Sequence, residues 1–196
     1  MDLHLDRAFD CVDHDILLRR LEQSFGVTST PLTWIRSFLH GRTQQVCYAG
    51  RLSAIMLFGV PQGVGPWAAL FLLYTTELID VIASSGLTGH SYADDTQVYI
   101  SAPAASTSTI TQMFVKCVER VDAWMSSNRL RMNADKTQLV WLSTRQLDKL
   151  SVTELSLLST RVQFSMTVSD LGVLIYTVSL AWLIMSRRSV GPAFSS

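Results

Sequence analysis

Two adjacent aspartates, Asp94 and Asp95, stand between two runs of strand-forming residues, Thr88–Ser91 and Thr96–Ile100. This feature constrains the fold most. Adjacent carboxylates repel, and neither can be buried without a partner. With Tyr92 and Ala93 before them they predict a turn at the tip of a β-hairpin, the strands on either side supplying the sheet. An Asp-Asp turn can simply be solvated. It can also hold a divalent cation, because Mg²⁺ is bound through one or two carboxylates together with substrate phosphates. Two such ions about 3.5–4 Å apart can hold both oxygens of a phosphoryl transfer.

The rest of the chain supplies helices for such a sheet. Asp13 to Asp15 can cap a helix over Ile16–Ser24, with Leu17, Leu18, Leu21 and Phe25 at helical spacing and Gly26 beyond its end. Thr30 and Pro31 predict the start of a second helix, with Leu32, Ile35, Phe38 and Leu39 on one face and Gly41 after it. Gln44–Tyr48 and Ser53–Phe58 are expected as strands around an Ala49-Gly50 turn. Trp67–Ser84 is expected as one buried helix, Ser101–Thr109 as a loop, and Thr111–Ser127 as an amphipathic helix presenting Phe114, Val118, Val121 and Met125. Leu3, Leu5 and Phe9 suggest an opening strand running into a turn. Leu139–Leu142 and Val168–Ile175 are expected as strands. No repeat and no linker divides the chain, so the fold class is α+β with helices on one face of a sheet.

Composition narrows the function classes. The 196 residues are 48% hydrophobic, and 16 Lys+Arg balance 16 Asp+Glu. Such a chain is too apolar to be disordered, and a polyanion partner must find a local basic patch. Arg19, Arg20, Arg36 and Arg42, with Trp34 nearby, are candidates for that patch or for a solvated helix face. Cys11, Cys47 and Cys117 are odd in number and scattered, which argues against a disulfide framework or a zinc site. The opening MDLHLDRAFD has acid where a secretion signal needs base, so an intracellular setting, nucleus or cytoplasm, is expected. The uncharged stretch Leu171–Met185 has 15 residues, below the roughly 18 of a membrane-spanning candidate, so no membrane is expected.

Four motifs follow in order: Ala8-Phe9-Asp10-Cys11-Val12-Asp13-His14-Asp15-Ile16-Leu17, then Gly59-Val60-Pro61-Gln62-Gly63, then Tyr92-Ala93-Asp94-Asp95, then Asn133-Ala134-Asp135-Lys136-Thr137. Together they resemble the reverse transcriptases of non-LTR (LINE-type) retrotransposons. The likeness covers residues 3 to about 175, leaving 176–196 as a tail without it. The resemblance implies a polymerase-type palm, a small antiparallel sheet backed by helices. It implies RNA-directed DNA polymerase chemistry, with Mg²⁺ (or Mn²⁺) as cofactor and an RNA template and a DNA primer as partners, other retrotransposon chains being further candidates. Asp94, Asp95 and Lys136 match the catalytic positions, with Asp94 and Asp95 as metal ligands and Lys136 near the incoming triphosphate. Phe9, Gln62, Gly63 and Tyr92 match nucleotide-binding positions, Phe9 being the aromatic that screens out the 2′-hydroxyl of ribonucleotides. Val168–Gly172 resembles the last palm hairpin.

The sequence also departs from the family pattern. Five residues before Phe9 the pattern has a catalytic Asp; here that position is His4, flanked by Asp2 and Asp6. Imidazole is a poor ligand for Mg²⁺. After Gly63 the order Val64-Gly65-Pro66-Trp67-Ala68-Ala69 brings the Gly-Pro pair early and sets a bulky indole where a small residue is expected. Against the family pattern, the fingers and thumb are expected to be largely missing and no endonuclease domain is expected. These departures imply a catalytically impaired enzyme. An active polymerase completed by a partner chain and by Asp2 or Asp6, a non-catalytic nucleic-acid-binding module, and a chain with no selected function are the alternatives.

Overall fold

The computed structural model describes residues 2–4, 8–43, 45, 47–60, 67–92, 95–133, 136–141, 154–158, 160–165, 167–170 and 173–176. Helices and small sheets are mixed, an α+β arrangement. The chain groups into two compact units. One comprises Met1–Leu5, Ile79–Asp122 and Met132–Ser196, the other Asp6–Leu78 and Ala123–Arg131.

The first unit contains a three-stranded antiparallel sheet in the order β1 (Asp2–His4), β5 (Asp95–Tyr99), β4 (Thr88–Tyr92). Thr96 and Val98 of β5 are buried, while Asp95, Gln97 and Tyr99 between them are half-buried. This alternation marks one covered and one open face. Helix α4 (Glu77–Ala83) covers the first: a side-chain carbon built on Gly89 would lie 3.1 Å from Ile82 and 3.2 Å from Ile79. A larger residue there would push the isoleucine side chains back by a few tenths of an ångström. Helix α5 (Thr107–Ser127) starts four residues before the expected Thr111 and buries Phe114, Val118, Val121 and Met125, the stripe expected from its period, with Ile110 added by the extra turn. Its Arg120 donates to the Ser84 carbonyl and to Ser85 Oγ, both at 3.1 Å, fixing α5 to the end of α4.

Later in the same unit, β6 (Leu139–Val140) and β8 (Thr160–Ser165) pair in parallel, and β7 (Glu154–Leu157) pairs with β8 antiparallel. β9 (Thr167–Asp170) and β10 (Val173–Tyr176) pair as a hairpin, as the resemblance of Val168–Gly172 implied, where the residue pattern alone suggested one strand. β7 and β8 were not anticipated, although buried Leu155 and Leu157 alternating with exposed Glu154 and Ser156 carry the two-residue period.

In the second unit, α1 (His14–Gln23) begins at Asp13, whose Oδ1 accepts from the Asp15 and Ile16 N–H groups at 3.0 and 3.1 Å. Helix α2 (Ser29–Leu39) starts two residues earlier than expected, after Thr28, and Pro31 falls in its first turn, where N–H groups lack intrahelical partners in any case. β2 (Cys47–Tyr48) and β3 (Arg51–Leu52) meet at Ala49-Gly50, both at positive φ (48° and 74°), the conformation of a tight hairpin turn. The first strand is shorter than expected, and the second lies at Arg51–Leu52, before the expected Ser53–Phe58, which forms no strand beyond an isolated bridge at Met56. All four residues are exposed, so no covered face extends the pairing.

The single helix expected over Trp67–Ser84 is two, α3 (Trp67–Thr75) and α4, interrupted at Thr76. Thr75 Oγ1 donates to the Phe71 carbonyl and Thr76 Oγ1 to that of Leu72, at 3.1 and 2.9 Å. Hydroxyls bonded back to the preceding turn compete with the helix ladder. Leu17, Leu21, Leu39, Phe71, Tyr74 and Leu78 are the main buried side chains of this unit. Each stabilises the fold by about 1.5–3 kcal/mol on burial. Among the described residues no helix is long and apolar enough to cross a membrane, and most of the Leu171–Met185 stretch lies outside them.

Candidate active site

The expected hairpin is present. β4 and β5 pair from Thr88↔Tyr99 to Tyr92↔Asp95, leaving two residues between the strands. Those two, Ala93 and Asp94, lie outside the described residues, as do Gln62 and Gly63. Asp95 starts β5 and is paired on both sides, with Tyr92 on one flank and His4 on the other. Directly opposed positions of antiparallel strands carry their Cβ atoms about 4.5–5.5 Å apart. Residue 4 is therefore the β1 position that belongs with Asp95. Asp2 pairs with Gln97 instead, one step of the pleat further along, and Asp6 lies outside the described residues.

Tyr92 is 68% exposed at the end of β4. Next to it on the open face His90 stacks on Tyr99, with 5.3 Å between ring centroids, and His90 Nε2 is 2.6 Å from Tyr99 Oη. Sequence reasoning did not single out this pair; strand alternation from Asp95 predicts the face but not the contact. Lys136 is exposed, its backbone N–H donating to Asn133 Oδ1 at 3.2 Å.

Phe9 belongs to the second unit. It lies in a short 3-10 turn, Ala8–Cys11, half-buried, its ring centroid 4.6 Å from that of Phe71. The segment leading to Gln62 is tied to the same turn. Gly59 N–H donates to the Val12 carbonyl at 2.9 Å, and Val60 N–H donates to the Phe9 carbonyl at 2.8 Å. Gly59 has φ 108°, and a side-chain carbon there would lie 3.0 Å from Asp10 Cα. Only glycine permits both the conformation and the approach. His14 Nε2–H donates to the Gly59 carbonyl at 2.8 Å, a third tie.

Beneath this turn is a network no local pattern announced. Asp13 Oδ2 accepts from Arg129 Nε at 2.6 Å. Burial alone would raise the Asp13 carboxyl, but hydrogen bonds from Ile16 N–H, Arg129 and Asp15 N–H outweigh it and hold it below its ordinary value. Tyr74, fully buried, donates from its hydroxyl to the Asn128 carbonyl at 2.7 Å, and burial pushes its phenol up. Arg20 is buried, not part of a basic surface. It donates to Glu77 Oε1 at 2.9 Å, to Glu77 Oε2 at 2.6 Å, to Asn128 Oδ1 at 3.0 Å and to the Tyr74 carbonyl. The helical period alone could have flagged it, because Arg20 falls on the same side of α1 as Leu17 and Leu21. A cleft of about 360 Å³ lies alongside, lined by Asp13, His14, Arg36, His40, Phe58 and Arg129 among others.

Comparison with known families adds one result. A family model described as reverse transcriptase (RNA-dependent DNA polymerase) matches residues 1–168. No curated protein matches the chain.

Proposed function

Because the chain belongs to the reverse transcriptase (RNA-dependent DNA polymerase) family, we propose that it is a palm of the non-LTR retrotransposon type whose polymerase chemistry is impaired. Its main support is the register of β1 on β5. His4 is the residue opposite Asp95, and in the family pattern that position, five before the aromatic Phe9, is a carboxylate. The order of the four motifs supports the non-LTR type.

Reverse transcriptases generally use divalent metals such as Mg²⁺ and bind template and primer nucleic acid. A bound Mg²⁺ pair would stabilise the attacking and leaving oxygens of the phosphoryl transfer. The residues present do not fit that pair. Two carboxylates remain, Asp94 and Asp95, and the third donor is an imidazole, which hard ions disfavour. Asp2, aligned with Gln97, stands about 6–7 Å from the required strand position.

Other groups of the chain retain their proposed roles. Phe9, braced on Phe71, is a rigid wall suited to excluding a 2′-hydroxyl. Lys136, exposed, is suited to offsetting phosphate charge. The test is primer extension on an RNA template with deoxynucleotides, in Mg²⁺ and separately in Mn²⁺. Background incorporation is expected. Incorporation by the unmodified chain that Asp94→Ala abolishes would sink the impaired reading in favour of an active polymerase.

A further inference from the structure

The cleft of about 360 Å³ beside the Asp13–Arg129 pair has no role in polymerase chemistry, and every residue that lines it belongs to the second unit. Small-molecule sites hold about 300–1,000 Å³, so its size is that of a ligand pocket. Part of its lining is uncovered apolar surface. Leu57 is 62% exposed and Phe58 37%, together with the buried Leu18 and Leu39. The rest is charged. Arg129 is fixed in place: its Nε donates to Asp13 Oδ2, and its guanidinium lies 4.4 Å from the Phe58 ring centroid. Arg36 and Asp15 are exposed, and among the described residues neither belongs to an ion pair.

We propose that this cleft binds a small organic monoanion, a carboxylate carried on an apolar aliphatic or aromatic body. The carboxylate meets the Arg36 guanidinium, whose planar fork matches it with two parallel hydrogen bonds. The body covers Leu57 and Phe58 and takes their apolar surface out of water. Charge selects a carboxylate over a phosphate. Arg36 and Arg129 are balanced in the lining by Asp13 and Asp15, so the cleft offers a dianion no net attraction to offset its larger desolvation cost. One guanidinium is enough for one carboxylate. The small volume selects a free acid over a polypeptide segment. Arg129 and Phe58 already brace each other, so little freedom is lost when the body settles on them.

Binding at this cleft is measured separately from synthesis. Phenylbutyrate, phenylbutanol and phenyl phosphate are titrated against the full chain by ligand-observed NMR. Phenylbutyrate is expected to bind about tenfold more tightly than the alcohol, which keeps the body and lacks the charge, and more tightly than the phosphate. Arg36→Gln should weaken phenylbutyrate about tenfold or more and leave phenylbutanol unchanged. Arg36→Lys should recover only part of the loss, because it restores the charge without the fork. Leu57→Ser should weaken both ligands. Lys116→Gln, an exposed change on α5, should weaken neither. Arg36 and Leu57 are both exposed, and circular dichroism melting of each variant controls for folding. Absence of phenylbutyrate binding overturns the site, as does binding that neither Arg36→Gln nor Leu57→Ser weakens. Tighter binding of phenyl phosphate overturns the carboxylate in favour of a phosphate ligand. Tighter binding of a peptide alternating phenylalanine and glutamate overturns the free acid in favour of protein docking.

Discussion

The Asp13 carboxylate accepts from two N–H groups of α1 and from Arg129, so removing its charge leaves three donors poorly matched. Asp13→Ala should destabilise the protein by about 1–3 kcal/mol, measured by urea unfolding at neutral pH. The pH dependence has a definite sign. The folded pKa lies below that of the unfolded chain. The stabilisation is therefore fully present above the unfolded value, about 4, and fades as pH falls through the folded one. Unfolding measured at pH 7 and at pH 3 should show the wild type losing more stability on acidification than Asp13→Ala does. An equal loss would mean that Asp13 is not a source of the acid sensitivity. Tyr74→Phe is the companion test. It removes the donor to the Asn128 carbonyl and should cost about 1–2 kcal/mol, with the melting temperature as readout.

At the scale of elements, α1 and α5 formed much as their sequences require, and α2 formed where Pro31 marked it but began two residues early. α1 begins at its Asp13 cap, and α5 buries the apolar face read from its period. Phe114→Ala, in the buried stripe of α5, should cost about 3–5 kcal/mol, whereas Lys116→Ala on the exposed side should stay within about 0.5 kcal/mol by the same melt. Elements without such local signals departed from expectation. The α3–α4 break follows from threonine hydroxyls that can bond back or stay free, and apolar content alone does not distinguish the two. β2 and β3 are short because nothing covers them, a fact of packing rather than propensity. Gly59 gives a sharper case. Gly59→Ala should break its bond to Val12 and that of Val60 to Phe9, seen as faster amide exchange at residues 59 and 60. Unchanged protection there would refute the close-approach account.

For the whole molecule, the proposal of an impaired palm is tested by one substitution at residue 4. His4→Asp returns a hard oxygen ligand and a negative charge opposite Asp95. Calorimetry should show Mg²⁺ binding tightened about tenfold, which is about 1.4 kcal/mol. The unmodified chain should prefer Mn²⁺ to Mg²⁺, because Mn²⁺ accepts nitrogen more readily. Primer extension should nonetheless stay near background in the variant, because the altered order from Val64 to Ala69 is unrepaired and positioning dominates phosphoryl transfer. Full recovery of synthesis by His4→Asp alone would show that position 4 was the sole defect.

By itself the sequence determined the β4–β5 hairpin, the α1 cap, the buried face of α5 and the family. Each of these is written in adjacent residues or in an ordered set of short motifs. It also marked position 4 as anomalous, but not what stands across from it. The tertiary structure decided that His4 opposes Asp95 and Asp2 does not, that Arg20 is buried while Arg36 is exposed, and that Arg129 pairs with Asp13. These are pairings between distant parts of the chain. A two- or 3.6-residue period says which face a side chain takes. It does not say which strand or helix meets that face, because register is set by how whole elements pack.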